Sequence, residues 1–276
     1  MRLFRFEQNG RCGCGAVDLN GTWRDVSSLW PPALAAPTGS VIEELRRASL
    51  TEFPVIEKAR LGACGGTFGK IVCVGLNYSD HAAELGVPLP TEPMLFLKPG
   101  SSSAGPDDDL MIPPGFLEVD WEVELGVVIG FTAKQVEAKD ALDHVAGYCV
   151  VNDVTDRVWG NREPSQWMKG KSADGFTSIG PWLVTRDEVK DPHDLSLWTD
   201  VNGIRYQVGN SRSMRFSVEE LVSYVSQFTT LEAGDVISSG TPAGVGSQQK
   251  PPRFLKSGDV VEVGISGLGK QTRRVV

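Results

Sequence analysis

The residues best suited to chemistry form a short acidic motif that runs into an apolar segment. Glu122 and Glu124 alternate with apolar residues, and no polar residue follows before Ile129. Side chains alternate faces along a strand, so the two carboxylates would lie on one side, roughly 6–7 Å apart at Cα. A solvated strand face would explain such a pair, but the apolar continuation favours a strand buried on both faces. Two buried like charges are costly unless a cation neutralises them.

Asp153 is a third acid of the same kind, because it ends the apolar run 146–151. Three carboxylates make a hard oxygen site, which favours Mg²⁺, with Mn²⁺ or Ca²⁺ as alternatives, over zinc or copper. The chain has only 3 histidines, which fits a site built without imidazole. These residues alone leave a metal site and a structural role equally open.

His81 and Glu84 form a second motif with catalytic character. Their spacing of three places them on one face of a helical turn. A carboxylate bonded to one ring nitrogen fixes the tautomer, and the other nitrogen can then act as a general base on water. An exposed pair on a helix would have the same spacing.

Two further segments could contact an anionic ligand. Lys171 lies among small residues, where it could hold a substrate carboxylate or a developing enolate, or form a surface salt bridge. The glycine-rich segment 240–246 follows a strand-like run and could cradle an anion with its backbone N–H groups, Thr241 adding a hydroxyl donor. A plain turn is the alternative there.

Other motifs do not complete a site. The segments 13–15, 69–70 and 170–172 each lack a glycine that a dinucleotide or phosphate-binding loop needs. Cys12 and Cys14 have no second pair to complete a tetrahedral zinc site. The 5 cysteines, odd in number and without framework spacing, predict reduced thiols in a cytoplasmic protein.

Composition narrows the class of partner. The net charge of −8, with no long Lys/Arg run, disfavours nucleic acid and anionic membranes as partners. No apolar run reaches the roughly 18 residues of a membrane span, and the first residues do not resemble a signal peptide. We therefore expect a protein that binds a small molecule.

The order of elements predicts two units. Residues 1–28 read as short strands joined at Asn9-Gly10 and Asn20-Gly21, and Ser40 with Glu43 forms a capping box for a helix to about Ser49. We assign residues 1–66 to a small N-terminal α/β domain.

Residues 67–276 form the second predicted unit, a mainly β domain with some α and with long loops, which are usually functional. Its predicted helices are 134–144 and 218–228, the second capped by Ser217. Its predicted strands are 71–75, 121–129, 146–151, 235–238 and 260–265.

Five motifs in this order resemble the fumarylacetoacetate hydrolase family, over residues 70 to about 270. They are Gly-Leu-Asn-Tyr-x-x-His-x-x-Glu, Trp-Glu-x-Glu-Leu-Gly-Val-Val-Ile-Gly, Asn-Asp-Val-Thr, Lys-Gly-Lys-Ser-x-Asp and Gly-Asp-x-Ile-x-x-Gly-Thr-Pro-x-Gly-Val-Gly. Within the family, the chain is most similar in texture to bacterial 2,4-diketo-3-deoxy-L-fuconate hydrolases and ureidoglycolate lyases.

The resemblance implies a mixed β-roll catalytic domain, usually homodimeric, that holds Mg²⁺ or Mn²⁺. It implies three metal ligands, a water-activating pair on a lid, an active-site lysine and four substrate contacts. In that order they are Glu122, Glu124 and Asp153; His81 and Glu84; Lys171; and Thr241, Gly240, Gln207 and Asp174.

The implied reaction is C–C bond hydrolysis of a 2,4-dioxo acid to a pyruvate-type product and a carboxylic acid. Activated water would attack the distal carbonyl, and an enolate would leave. The same chemistry would support oxaloacetate decarboxylation, 2-oxo acid isomerisation or ureidoglycolate cleavage, because a fold does not fix a reaction. A non-catalytic protein that binds 2-oxo acids is the alternative from another class.

Overall fold

A computed structural model describes residues 1–34, 36–57, 59–66 and 68–276. The strands are β1 Arg2–Gln8, β2 Arg11–Val17, β3 Trp23–Asp25, β4 Arg60–Gly62, β5 Ile71–Gly75, β6 Met94–Lys98, β7 Ser103–Ala104, β8 Val119–Asp120, β9 Val123–Ile129, β10 Val145–Asp153, β11 Thr155–Asp156, β12 Thr177–Thr185, β13 Ser196–Val201, β14 Ile204–Asn210, β15 Val236–Ser238, β16 Val260–Ile265 and β17 Gly269–Arg274. The α-helices are α1 Gly39–Arg47, α2 Ser79–Leu85, α3 Arg157–Asn161, α4 Trp167–Lys171 and α5 Val218–Ser226.

An 11-stranded mixed sheet dominates the molecule, as the predicted mainly β class requires. Its order is β3-β2-β1-β12-β10-β9-β15-β5-β6, with β4 also on β1 and β7 also on β12. A second sheet has the order β14-β13-β16-β17, and β8 pairs with β11. The described part of the chain contains no helix long and apolar enough to cross a membrane.

Strand β9 is buried on both faces, which confirms the interpretation of its apolar sequence. Every residue of β9 is buried. Val127 belongs to the core cluster beneath the second sheet and α5, whereas Val128 belongs to the cluster on the opposite face. A charged side chain at the start of this strand therefore has little access to bulk water.

The N-terminal strands belong to the same large sheet as the rest. Leu3 of β1 pairs with Leu183 of β12, and Leu45 of α1 packs in the core cluster that also holds Val128. The division between residues 66 and 67 stays a prediction, and Thr67 lies outside the described residues. The Asn9-Gly10 hairpin joins β1 to β2 as expected.

Two of the predicted helices begin at residues other than those predicted. The N-cap of α1 is Thr38, whose hydroxyl accepts from the Val41 N–H (3.4 Å), so the predicted capping box at Ser40 is wrong. The predicted helix 134–144 is a 3₁₀ helix, Ala138–His144, because Gln135 adopts φ +52° and donates its N–H to the Ser226 carbonyl (2.8 Å).

The helix α5 is as predicted at its start. Ser217 caps it in a full capping box with Glu220, and its apolar face packs in the core. The helix ends at Ser226, two residues before the predicted end.

Candidate active site

The three predicted metal ligands meet at one end of β9 and β10. Glu124 lies in β9, Asp153 ends β10, and Glu122 precedes β9 by one residue. The Asp153 N–H donates to the Glu122 carbonyl (2.9 Å), which fixes the two backbones side by side. One carboxylate oxygen from each residue lies within 4.8 Å of the others, and all three residues are buried. We call these residues the acidic cluster.

Three cations face the acidic cluster. Lys171 Nζ lies 2.6 Å from an oxygen of Glu122 and 2.6 Å from an oxygen of Asp153. Arg157 Nη1 lies 2.8 Å from the other Glu122 oxygen. Lys98 Nζ bonds the other Asp153 oxygen and the Phe176 carbonyl (2.9 Å).

Sequence reasoning missed Lys98, Arg157 and Asp120. Asp120 is fully buried and accepts from Arg157 Nε (2.9 Å). Its position two residues before Glu122 was a usable signal, because alternation places it on the same side. Lys98 gave no signal, because it contacts Asp153 across segments far apart in sequence. It ends β6, and the chain beyond it reaches β7, which pairs with β12.

Burial and charge set the protonation of the acidic cluster. Burial, together with the negative charges of Asp153 and Glu122, raises the pKa of Glu124 to about 8. Burial also opposes ionisation of Glu122, but Lys171 and Arg157 hold its pKa below the usual value. Burial lowers the pKa of Lys171, but the carboxylates of Asp153 and Glu122 together have the larger effect. They raise its pKa and keep the side chain an ammonium.

The acidic cluster fits a divalent cation. Its donors are carboxylate oxygens, the ligand type that Mg²⁺, Mn²⁺ and Ca²⁺ prefer. Glu124 Oε2 accepts from the Ser238 hydroxyl (2.6 Å), while Oε1 has no hydrogen-bond partner among the described residues. The raised pKa of Glu124 shows that the surrounding cations stabilise its ionised form too little, and a bound divalent ion would stabilise that form.

His81 is held by Glu84 on helix α2. His81 Nδ1 and Glu84 Oε2 lie 2.8 Å apart, and the Gly244 N–H donates to Glu84 Oε1 (2.8 Å). A carboxylate on Nδ1 selects the tautomer that carries its proton there, which leaves Nε2 as an acceptor. Nε2 has no hydrogen-bond partner within the described part of the chain, so it is available to a water molecule or substrate.

The glycine-rich turn binds carboxylates of the protein itself. Gly240 has φ +96°, and a Cβ there would lie 2.9 Å from the Val74 carbonyl oxygen, so the turn requires glycine at this position. The sequence predicted that the turn's N–H groups could cradle a substrate anion, with a plain turn as the alternative. Three of them bind side chains: Gly240 to Glu124 (3.0 Å), Gly244 to Glu84 (2.8 Å) and Gly246 to Asp120 (2.6 Å).

The other predicted substrate contacts divide into two kinds. Thr241 lines the cavity, and its hydroxyl donates to the Val123 carbonyl (2.9 Å). Gln207 is fully buried behind it and donates to the Thr241 hydroxyl (2.8 Å), so it positions Thr241 without reaching the cavity. Asp174 is exposed in the turn after α4 and does not line the cavity.

A cavity of about 430 Å³ lies over the acidic cluster, a size that suits a small metabolite. Six of the ten predicted site residues line the cavity. Glu84, Gly240 and Gln207 do not line it, but each forms a hydrogen bond to a residue that does. The six are His81, Glu122, Glu124, Asp153, Lys171 and Thr241.

Known proteins share this arrangement of fold and sequence. The family profile described as "Fumarylacetoacetate (FAA) hydrolase C-terminal" matches residues 70–276. A Burkholderia ambifaria protein named "Putative hydrolase" is 51% identical over 274 residues, covering 98% of this chain and 97% of that protein. The chain therefore belongs to the fumarylacetoacetate hydrolase family.

Two solved structures extend the comparison. The fumarylacetoacetate hydrolase of Exiguobacterium antarcticum superposes with a TM-score of 0.86 at 38% identity, covering 100% of this chain and 99% of that one. The 2-hydroxyhepta-2,4-diene-1,7-dioate isomerase of Mycobacterium marinum gives 0.76 at 31%, covering 100% and 98%. Relatives of this chain are thus named both as hydrolases and as isomerases.

Proposed function

We propose that this protein is a divalent-metal-dependent hydrolase that cleaves a C–C bond of a 2,4-dioxo acid. The products would be a pyruvate-type acid and a second carboxylic acid. The observation that carries the proposal is that one cavity contains both a buried cluster of three carboxylates and a histidine fixed by a carboxylate.

The acidic cluster supplies the proposed metal site. Glu122, Glu124 and Asp153 would hold Mg²⁺, or Mn²⁺ or Ca²⁺ in its place. When bound, the ion supplies Lewis-acid polarisation of the carboxylate and keto oxygens of a 2-oxo acid.

His81 would remove a proton from water at Nε2, because Glu84 fixes the proton of the neutral ring on Nδ1. The water oxygen attacks the distal carbonyl carbon, and the C–C bond then breaks with its electron pair going to the pyruvate part. The Gly244 N–H keeps Glu84 in place during this step.

Lys171 would stabilise the enolate that leaves. It remains an ammonium, and its Nζ already lies between two oxygens of the acidic cluster. A fixed cation aimed at a developing negative charge lowers the barrier to that charge. Thr241, held by Gln207, lines the same cavity and would contact the substrate carboxylate.

Hydrolysis is favoured over isomerisation and decarboxylation by the fixed His81–Glu84 pair, since neither alternative consumes a water molecule. Within the family, the diketo-deoxy sugar acids and simple acylpyruvates are the proposed substrates. The predicted homodimer and cytoplasmic location stay predictions.

Metal removal tests the proposal. Treatment with EDTA should abolish turnover of acylpyruvates, and Mg²⁺ or Mn²⁺ should restore it. A panel of 2,4-dioxo acids, oxaloacetate and ureidoglycolate would identify the reaction. Turnover that persists after complete removal of the metal would contradict the proposal.

A further inference from the structure

The cavity wall beside Lys171 is aromatic. Lys171 Nζ lies 5.2 Å from the centre of the Phe96 ring, and Phe96 meets Trp167 edge to face at 5.7 Å. The Trp167 ring packs directly on Gly75, where a Cβ would lie 2.2 Å from the indole ring. We call Phe96 and Trp167 the aromatic wall.

Within the described part of the chain, the cavity lining has no unpaired cation that could bind a second carboxylate of a substrate. Among the described residues, the only Lys or Arg side chains of the lining are Lys171 and Arg157. Both are already paired, Lys171 with Glu122 and Asp153, and Arg157 with Glu122 and Asp120. His81 carries its own carboxylate, Glu84, and adds no net positive charge.

The charges of the acidic cluster and of the groups ion-paired around it match a substrate with one carboxylate. With every carboxylate ionised, they comprise four negative and three positive charges among the described residues, which leaves one negative charge in excess. They are Asp120, Glu122, Glu124 and Asp153 against Lys98, Lys171 and Arg157. A divalent ion would turn this excess into one positive charge, which a single substrate carboxylate neutralises. A second carboxylate would again leave buried negative charge, which is costly.

Glu118 adds a repulsive element to the same cavity. It lines the cavity and is half-buried, and its carboxylate has no hydrogen-bond or ion-pair partner within the described residues. The backbone fixes its position, because its N–H donates to Asp156 (2.9 Å) and its carbonyl accepts from the Arg157 N–H (3.0 Å). Like-charge repulsion of this kind is a common means of rejecting a wrong ligand.

We infer that the site selects 2-oxo acids with a single carboxylate, whose uncharged distal group packs on the aromatic wall, and that Glu118 excludes diacids. The inference rests on the proposed function for the identity of the 2-oxo acid. It would place oxaloacetate among the rejected substrates and acylpyruvates or deoxy sugar acids among the accepted ones.

Two matched ligands test the selection by binding alone. Calorimetry in Mg²⁺ should give 2-oxohexanoate a dissociation constant about tenfold lower than that of 2-oxohexanedioate, because one unrelieved like-charge contact costs about that much. Glu118→Gln should bring the two constants within about threefold of each other. The matched control, Glu137→Gln, removes an equal charge from an exposed residue outside the cavity and should leave the ratio unchanged. Equal affinities in the wild-type protein would overturn the inference.

The aromatic wall is tested separately. Trp167→Leu should weaken 2-oxohexanoate binding about tenfold while leaving pyruvate binding unchanged, because pyruvate has no distal group. An equal loss for both ligands would contradict the contact. Turnover of a 2,4-dioxo monoacid and of its ω-carboxylate should follow the same order as binding. If neither is hydrolysed although the binding preference holds, the proposed function fails and the selection stands.

Discussion

The acidic cluster and the aromatic wall line one cavity, but the first consists of charged side chains and the second of apolar rings. At the acidic cluster, Glu122 and Asp153 each contact two cations. Near the aromatic wall, Lys171 provides the charge and Phe96 and Trp167 provide apolar surface. In the proposed function the acidic cluster takes part in the reaction, while the aromatic wall and Glu118 select its substrate. Substitutions in the two regions should therefore have separable effects.

Glu122→Gln should have the largest effect. Loss of one carboxylate from three should lower divalent-ion affinity by at least about a hundredfold and reduce turnover to background. Calorimetry with Mg²⁺ and a product assay measure the two quantities. An unchanged metal stoichiometry in this variant would refute the ligand assignment, and Glu137→Gln serves as the matched control.

His81→Ala should be next in size. Removal of the general base should lower the hydrolysis rate by about 10²–10⁴-fold, while divalent-ion affinity stays the same. His144→Ala is the control, because His144 bonds a backbone carbonyl at Thr132 and does not line the cavity. Full-rate hydrolysis of acylpyruvates by His81→Ala would show that the water-activating role is wrong.

Asp120→Ala should destabilise the fold as well as the site. Asp120 pairs with Arg157 and accepts from the N–H groups of Gly246 and Ser247. Its loss removes one of the two carboxylates that neutralise Arg157 and leaves both N–H groups without this acceptor. The free energy of unfolding should fall by about 3–5 kcal/mol in urea titrations. A change below about 1 kcal/mol would mean that Glu122 alone compensates the charge of Arg157.

Leu45→Ala is a comparison variant in the apolar core, away from the charged residues of the site. Leu45 is buried against the large sheet, and its truncation should cost about 2–5 kcal/mol of stability. Its kcat/KM at a temperature where the fold persists should remain unchanged. A selective loss of kcat/KM would show that the N-terminal layer also positions the site.

Gly75→Ala should have the smallest effect. The added methyl group meets the Trp167 ring at 2.2 Å, so the ring must move, at a cost of about 1–3 kcal/mol in unfolding free energy. Affinity for 2-oxohexanoate should fall while that for pyruvate is unchanged. Divalent-ion affinity should also stay the same, since Trp167 is not part of the acidic cluster.

The sequence predicted those parts of the site that lie in regular elements or close along the chain. Strand alternation placed Glu124 on a buried face, and the spacing of three placed Glu84 beside His81. The mainly β class and the start of α5 were predicted from patterning and capping, whereas the mixed β-roll was implied by the family resemblance.

The rest depends on contacts between segments distant in sequence. Lys98 and Asp153 are 55 residues apart and are brought together by the tertiary fold. The role of the glycine-rich turn also escaped prediction. Its N–H groups face Glu84 and Asp120, which lie 160 and 126 residues from their donors. Local pattern shows that such groups are available, but tertiary structure decides which anion they bind.

Product analysis tests the central claim most directly. The protein would be loaded with Mg²⁺, given a 2,4-dioxo monoacid, and followed by proton NMR. We predict pyruvate and the distal carboxylic acid in equal amounts, with no product in EDTA. An isomer of the substrate, or release of CO₂ without the second acid, would contradict it.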